Sequence, residues 1–101
     1  MTTRRHYLVS YDIASDEQGD KRRNKVFEAL LSRGDHVQFS VFFCQLNPRE
    51  LAELKQQLIS IIHHTQDQVL IVDLGPARYS VEESTISLGR PFSMPSRAQI
   101  V

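Results

Sequence analysis

Apolar and polar positions along this chain form several extended stretches and two longer stretches with helical spacing. Alternation with a period of two is typical of strands, whereas apolar residues at i, i+3 and i+4 are typical of amphipathic helices. The predicted elements, in chain order, are strand 6–12, helix 20–33, extended segment 36–46, helix 48–64, strand 68–74 and short strand 85–88.

Residues at the predicted helix ends support these boundaries. Asp20 is suited to cap the N-terminus of the first helix, and Gly34 to be the left-handed residue after its C-terminus. The second helix has a stronger start, because Asn47 can cap it, Pro48 suits its first position and Glu50 can close a capping box. We therefore expect this helix to begin at Pro48.

The extended segment 36–46 is long for one strand, and we expect either one bent strand or two short strands that meet near Ser40. Strict alternation puts Phe42 on the same side as the polar residues Gln38 and Ser40. Exposure at a sheet edge is the simpler interpretation of this side. A phenylalanine ring is costly to leave in water, so Phe42 favours an interface over a base-stacking platform.

The order of the elements predicts the fold class. Two helices can cover only one face of the sheet, yet strand 68–74 is apolar on both faces. A second copy of the chain is the simplest cover for the other face. We therefore expect an α/β (α+β) ferredoxin-like β-α-β-β-α-β sandwich with a mainly antiparallel sheet, forming a homodimer through the face without helices. The domain is expected at 1–89, and 90–101 is expected to be a tail that contacts a partner or the other copy.

Composition suits a single-domain cytoplasmic protein. The chain has 101 residues, of which 41% are hydrophobic and 24% charged, so its core is modest. No apolar run approaches the ~20 residues of a membrane span. The single cysteine, Cys44, cannot form an intrachain disulfide, as expected in the cytoplasm.

Charge is unevenly distributed, although the formal net charge is zero. Seven of the twelve lysines and arginines lie in residues 1–33, and Lys21, Arg22, Arg23 and Lys25 form a basic cluster. A zero total argues against general nucleic-acid binding, but a local basic face can still contact phosphate. Two interpretations fit the cluster: a solvated helix face, or a phosphate-binding surface at a helix N-terminus.

Asp12 is the candidate for chemistry. It ends the first strand, on the side of Leu8 and Ser10 and opposite Tyr11. Aspartate packs poorly in strands, so Asp12 either begins the following loop or binds a metal ion. One carboxylate offers few protein ligands to Mg²⁺, whereas two Asp12 residues that meet across a dimer axis would together form a credible binding site. Asp73 is a weaker second carboxylate, which we assign to solvation of a strand end.

Two motifs, Tyr11–Asp12–Ile13 and Val37–Gln38–Phe39–Ser40–Val41–Phe42, with Arg23, Lys25 and Gly34 between them, resemble the CRISPR-associated adaptation endonuclease family (Cas-two type). The combination is fairly specific, and the spacing between its parts fits. The resemblance is close over the first half of the chain. It extends more loosely through the second helix to strand 68–74.

The resemblance implies a ferredoxin-like homodimer with Mg²⁺ or Mn²⁺ at its interface, and metal-dependent cleavage of RNA or DNA. It also implies a partner, the CRISPR integrase, with which such dimers acquire spacers on DNA. The expected site residues are Asp12 as catalytic residue and metal ligand, Tyr11, Arg22, Arg23 and Lys25 as nucleic-acid contacts, and Ser40 and Phe42 as interface or substrate-positioning residues.

Three functions are consistent with these features. The first is a metal-dependent endonuclease of spacer acquisition. The second is a non-catalytic, dimeric DNA-binding scaffold of the integration complex. The third, which needs no basic cluster, is a ferredoxin-like regulatory dimer that binds a small ligand. The sequence has no zinc-type histidine spacing, no glycine-rich phosphate loop and no Ser-His-Asp or Cys-His arrangement.

Overall fold

The computed structural model describes residues 3–92, so residues 93–101 of the predicted tail at 90–101 lie outside the described residues. In this range neither helix is long and apolar enough to cross a membrane. The regular elements are β1 (Arg5–Asp12), α1 (Glu17–Leu31), β2 (Gly34–Gln38), β3 (Val41–Leu46), α2 (Pro48–Ile61) and β4 (Gln68–Pro76).

The four strands form one sheet in the order β2-β3-β1-β4, with β3 and β1 at its centre. Every pair of neighbouring strands is antiparallel. β1 pairs with β4 as far as its last residue, Asp12, which lies opposite Gln68. The predicted β-α-β-β-α-β ferredoxin-like sandwich is therefore confirmed.

The main core lies between the sheet and the two helices. Val9 and Tyr11 of β1 are buried in it, so Asp12 lies on the opposite face, as the alternation predicted. The largest side chains buried there with less than 2% of their surface exposed are Phe42, Leu30, Leu54, Val9, Val26 and Cys44.

The structure corrects the expectation for Phe42, which lies in this core rather than at an interface or a base-stacking platform. Its ring is 0% exposed and packs on Tyr11, Phe27 and His36 at centroid distances of 6.4, 5.4 and 4.8 Å. The segment 36–46 contains two strands joined by the turn at 39–40. Phe42 shares its side of the sheet with His36, as the alternation predicts, but this side faces the helices rather than solvent or a partner. That turn leaves Phe39 86% exposed.

Helix α1 begins at Glu17, earlier than predicted, because Asp16 rather than Asp20 is its N-cap. The Asp16 carboxylate accepts a hydrogen bond from the Gly19 amide at 2.7 Å. Gly19 is buried, and a Cβ added to it would lie 1.8 Å from the carbonyl oxygen of Ala14. The first turn of α1 therefore packs directly on the loop that leaves β1.

Gly34 is not the left-handed residue that was expected after α1. The helix ends at Leu31 with Ser32 as its C-cap, and Gly34 does not have a positive φ. A Cβ on Gly34 would instead lie 2.4 Å from the carbonyl oxygen of Phe43 and 2.6 Å from Cys44 Sγ. The glycine allows β2 to approach β3 closely.

Helix α2 begins at Pro48, as predicted, and Asn47 and Glu50 form its capping box. Asn47 Oδ1 accepts a hydrogen bond from the Glu50 amide at 2.8 Å, and Glu50 Oε1 accepts one from the Asn47 amide at 2.9 Å. The bond from the Asn47 amide, helped by nearby Arg4, holds the pKa of Glu50 below its usual value. The local sequence therefore determines this helix start.

The chain itself covers part of the sheet face without helices. Val81, which follows β4, packs with Phe43 and Leu8 on this face. The predicted strand at 85–88 is wrong, because these residues have no strand pairing, and Ile86 and Leu88 are 89% and 90% exposed. The segment after β4 is therefore irregular where it is described.

The β4 side of the same face stays open. Leu70, Val72 and Leu74 are 51%, 45% and 43% exposed, although they alternate on one face of a strand. β4 is also an edge strand. The apolar second face that led us to expect a homodimer is thus present, and the homodimer stays a prediction.

Candidate functional site

Asp12 lies at the end of a central strand, on the open face of the sheet. The residue is exposed, and its neighbour on the same face of β1 is Ser10. Within residues 3–92, no hydrogen bond or ion pair of at most 4 Å engages its carboxylate. Both carboxylate oxygens are therefore accessible to a cation.

The loop that follows Asp12 is held by Arg23 of α1. Arg23 Nη2 donates to the carbonyl oxygens of Ile13 and Ala14, each at 3.2 Å. Arg23 Nη1 lies 2.6 Å from Asp20 Oδ1, and its side chain is 29% exposed. Arg23 was expected to bind nucleic acid, and the structure shows it bonded to the backbone just after Asp12.

Asp67, which sequence analysis missed, holds the same loop from the other side. Its Oδ1 accepts from the Ala14 amide at 3.0 Å, and its Oδ2 accepts from the His63 amide at 2.8 Å and from Arg22 Nε at 2.6 Å. The Asp67 side chain is 0% exposed. Its bond to Arg22 is the largest cause of a pKa far below the usual range for aspartate. One signal in the sequence could have identified Asp67: it directly precedes β4, the strand that pairs with β1.

Tyr11 and Ser40 meet at the same end of the sheet. The Tyr11 amide donates to the Ser40 carbonyl oxygen at 3.1 Å, which ties the β2–β3 turn to β1 beside Asp12. The Tyr11 ring lies on the helix side and is 6% exposed, so it is a core residue here rather than an open contact surface. Burial raises the pKa of its hydroxyl, and the nearby Arg23 opposes that shift.

The basic cluster is divided between two roles. Arg22 and Arg23 are bonded within the chain, whereas Lys21 and Lys25 are exposed. The two lysines are four residues apart on α1 and therefore share one face of the helix. They are the members of the cluster with the freest access to a phosphate backbone.

Asp73 lies away from this end of the sheet. It forms an ion pair with Arg5 at 2.9 Å and accepts a hydrogen bond from the Gly75 amide, also at 2.9 Å. These bonds, led by that from the Gly75 amide, lower the pKa of Asp73. Strand β1 pairs Asp73 with Tyr7, so Asp73 cannot join Asp12 in a site within one chain.

Asp12 has no cluster of metal-ligating side chains around it within the described residues of one chain. Among residues 3–92, no three histidine, cysteine, aspartate or glutamate side chains come together in a metal-ligating group. Mg²⁺ commonly binds through one or two carboxylates, with waters and substrate phosphates as its other ligands. An accessible single carboxylate fits that chemistry if a second copy supplies another.

The family model described as CRISPR associated protein Cas2 matches residues 5–81, a range that includes every candidate site residue. This chain belongs to the Cas2 family. The membership confirms the resemblance that was based on the motifs around Asp12 and Ser40. It also confirms the assignment to a family of CRISPR-associated nucleases.

Several bacterial Cas2 proteins are similar to this chain. The "CRISPR-associated endoribonuclease Cas2" of Geobacter sulfurreducens is 33% identical over 95 residues, covering 94% of this chain and 95% of that protein. The "CRISPR-associated endoribonuclease Cas2 1" of Rhodospirillum rubrum is 37% identical over 95 residues, covering 94% and 88%. The "CRISPR-associated endonuclease Cas2" of Halalkalibacterium halodurans is 38% identical over 69 residues, covering 67% and 72%.

Solved structures support the same assignment. Streptococcus pyogenes Cas2 superposes with a TM-score of 0.69 at 28% identity, over 83% of this chain and 99% of that chain. A hypothetical protein from Thermus thermophilus superposes with a TM-score of 0.67 at 33% identity, over 89% and 99%. The family and its fold are therefore established for this Cas2 protein, while the metal ion, the homodimer and the role of each site residue stay predictions.

Proposed function

We propose that this Cas2 protein is a metal-dependent endonuclease of CRISPR spacer acquisition, with Asp12 as its catalytic carboxylate. The observation that carries the proposal is the placement of Asp12. Its carboxylate is exposed, is not engaged within residues 3–92, and precedes a loop that two side chains hold by its backbone. A carboxylate with free oxygens on a fixed backbone is suited to bind a cation without prior rearrangement.

A homodimer through the open sheet face would complete the site. Leu70, Val72 and Leu74 form an exposed apolar strip on β4, beside the β1 face that carries Asp12. Covering this strip with a second copy would remove apolar surface from water, which is favourable by roughly 25 cal/mol per Å². A two-fold axis near the end of β1 would bring the two Asp12 residues together.

Mg²⁺ or Mn²⁺ is the cofactor that this arrangement suits, and Asp12 from each copy would hold it. When bound, such an ion supplies charge neutralisation at the phosphate and a more acidic water. The chain contributes the position of the carboxylates through the bonds of Arg23 and Asp67 to the loop after β1. The Ser40 carbonyl oxygen accepts a hydrogen bond from the amide of Tyr11, the residue before Asp12, and we propose that the turn at 39–40 positions substrate.

Nucleic-acid binding is assigned to the exposed cations of α1. Lys21 and Lys25 can contact successive phosphates without breaking any bond within the described chain. Arg23 is partly exposed and close to the Asp12 loop, so it can contact a phosphate near the site while it holds the backbone. Phe42 is buried in the core, so it would support the turn at 39–40 from inside the protein rather than touch substrate.

The partners proposed for the dimer are DNA and the CRISPR integrase, as membership of the family suggests. RNA is a further candidate substrate, because similar proteins, those of Geobacter sulfurreducens and Rhodospirillum rubrum among them, carry the name endoribonuclease. The cytoplasm is the proposed location, since CRISPR adaptation acts on intracellular DNA.

Cleavage assays on Asp12→Asn test the proposal. Purified protein is incubated with labelled single-stranded RNA and double-stranded DNA in Mg²⁺, in Mn²⁺ and in chelator. We expect cleavage by the wild type only with metal, and a loss of about 100-fold or more in Asp12→Asn. Asp73→Asn, an isosteric change at an ion pair remote from the site, is the matched control and should keep wild-type rates.

Wild-type cleavage rates in Asp12→Asn would contradict the catalytic assignment. If Asp12→Asn lost cleavage yet supported spacer integration with the integrase, the nuclease would be real but separable from the scaffold function. If the wild type bound DNA and never cleaved either substrate, the non-catalytic scaffold would replace the nuclease. Absence of any nucleic-acid affinity would favour the regulatory dimer.

A further inference from the structure

We propose that Asp67, held by Arg22, is a positioning residue for Asp12, an inference that rests on the proposed catalytic role of Asp12. Asp67 is far from Asp12 in sequence and, in the structure, does not bond to its side chain. Its influence would pass through Ala14, two residues after Asp12.

The hydrogen bonds of Asp67 join three parts of the fold. Oδ1 accepts from the Ala14 amide at 3.0 Å and from Arg22 Nη2 at 3.2 Å, while Oδ2 accepts from Arg22 Nε at 2.6 Å and from the His63 amide at 2.8 Å. A carboxylate has about four acceptor positions, so these four bonds saturate it. Asp67 thus links the loop after β1, helix α1 and the segment that follows α2.

Other contacts converge on the same short loop. Arg23 binds the carbonyl oxygens of Ile13 and Ala14, and Gly19 packs so closely that an added Cβ would meet the Ala14 carbonyl at 1.8 Å. The amide of Ala14 is bonded by Asp67 and its carbonyl by Arg23. Such bonding fixes the backbone that immediately follows Asp12, although that residue is itself exposed.

The geometry distinguishes this ion pair from one that only adds stability. The Arg5–Asp73 pair joins β1 to β4 at 2.9 Å. Its side chains are 39% and 49% exposed, and Asp73 accepts from Gly75 rather than from the loop after β1. The Arg22–Asp67 pair is 16% and 0% exposed and bonds directly to Ala14. Positioning matters for catalysis because an error of about 1 Å can reduce a rate by roughly 100-fold.

The experiment compares Asp67→Asn with Asp73→Asn in the full chain. Asparagine has the size of aspartate but lacks the charge and one acceptor that Arg22 uses. Hydrogen exchange of the Ala14 amide, which donates to Asp67, is measured by NMR without metal or nucleic acid. The constants kcat and KM are measured separately for cleavage. Arg22→Lys is the gentler variant if Asp67→Asn fails to fold.

In Asp67→Asn we expect exchange of the Ala14 amide to accelerate about tenfold relative to the amides of β1. We expect kcat to fall by roughly 10- to 100-fold, with KM changed less than about threefold. Arg22→Lys should show smaller changes of the same kind, and Asp73→Asn should show none.

Unchanged exchange or unchanged kcat in a folded Asp67→Asn, or in Arg22→Lys if that variant alone folds, would overturn the inference. The inference would also be overturned if Asp67→Asn and Asp73→Asn lost kcat equally and in proportion to their losses of stability. The Arg22–Asp67 pair would then be only structural. Failure of the proposed function gives a different result. If the proposed function is wrong, Asp12→Asn keeps full activity. If only the positioning role is wrong, Asp12→Asn is inactive and Asp67→Asn is active.

Discussion

Arg22 Nε lies 2.6 Å from Asp67 Oδ2, and this ion pair turns one member of the basic cluster toward the protein interior. Its hydrogen bond raises the pKa of Arg22 and lowers that of Asp67. The cluster that the sequence presents as one basic patch is therefore two sets of side chains. Arg22 and Arg23 bind the chain around Asp12, and Lys21 and Lys25 remain in solvent.

The first prediction concerns salt dependence of nucleic-acid binding. Each phosphate contact on duplex DNA contributes about 0.9 to the slope of log K against log salt. Replacing both Lys21 and Lys25 by alanine should therefore lower that slope by up to roughly 1.8 for each chain in contact with the DNA, and leave Tm nearly unchanged. Fluorescence anisotropy at several salt concentrations, with thermal unfolding, measures both quantities.

Arg22→Ala is the matched comparison, and we expect the opposite result. It should lower Tm clearly, because a buried carboxylate loses its partner, while the salt dependence of binding stays as in the wild type. A slope reduced more by Arg22→Ala than by the double lysine variant would contradict this division of the cluster.

The second prediction concerns Gly19 in the first turn of α1. Alanine is intrinsically better than glycine in helices by about 1 kcal/mol. Gly19→Ala should nevertheless lower Tm, because its Cβ would clash with the Ala14 carbonyl oxygen and push the loop after Asp12 away. Asn24→Ala, at an exposed position of the same helix, is the control and should be neutral or stabilising. A Gly19→Ala protein as stable as the wild type would show that the loop is not tightly packed.

The third prediction is the pH dependence of stability from Asp67. Its folded-state pKa is depressed, so the unfolded state takes up a proton first as pH falls. The stabilisation is thus complete above the unfolded value, about 3.9, and is lost progressively at lower pH. We expect the Tm difference between wild type and Asp67→Asn to be largest near pH 7 and to shrink below about pH 4. A difference that stays constant or grows toward acid would contradict the assignment.

Sequence analysis succeeded where local pattern decides the structure. The alternation in β1 placed Asp12 opposite Tyr11, and the order Asn47, Pro48, Glu50 located the start of α2 to the residue. Both depend on neighbours a few positions apart. The apolar β4 residues likewise indicated an open second face, which the structure has.

The errors arose where tertiary structure chooses between local alternatives. Asp16 and Asp20 are both good N-caps, and the close packing of Gly19 on Ala14 goes with the earlier one. For Phe42, the polar neighbours Gln38 and Ser40 suggested an outward side, but Phe42 shares the helix side of the sheet with His36 and is buried there.

The Arg22–Asp67 pair could not be predicted from local pattern at all. The two residues are 45 positions apart, and a mostly buried arginine has the same sequence signature as an exposed one. The register of β1 against β4 supplies the missing information, because Asp12 lies opposite Gln68 and so puts Asp67 beside the loop at 13–14. The arrangement of side chains around Asp12 therefore depends on strand pairing as much as on the local sequence motif.

Titration of Mn²⁺ into the purified protein tests the central claim most directly, that Asp12 residues of two copies share one cation. Electron paramagnetic resonance counts bound ions, and light scattering counts chains. We predict one Mn²⁺ per two chains in the wild type and in Asp73→Asn, and loss of that ion in Asp12→Asn with the dimer intact. Binding of one ion per chain, or unchanged binding in Asp12→Asn, would contradict the shared site.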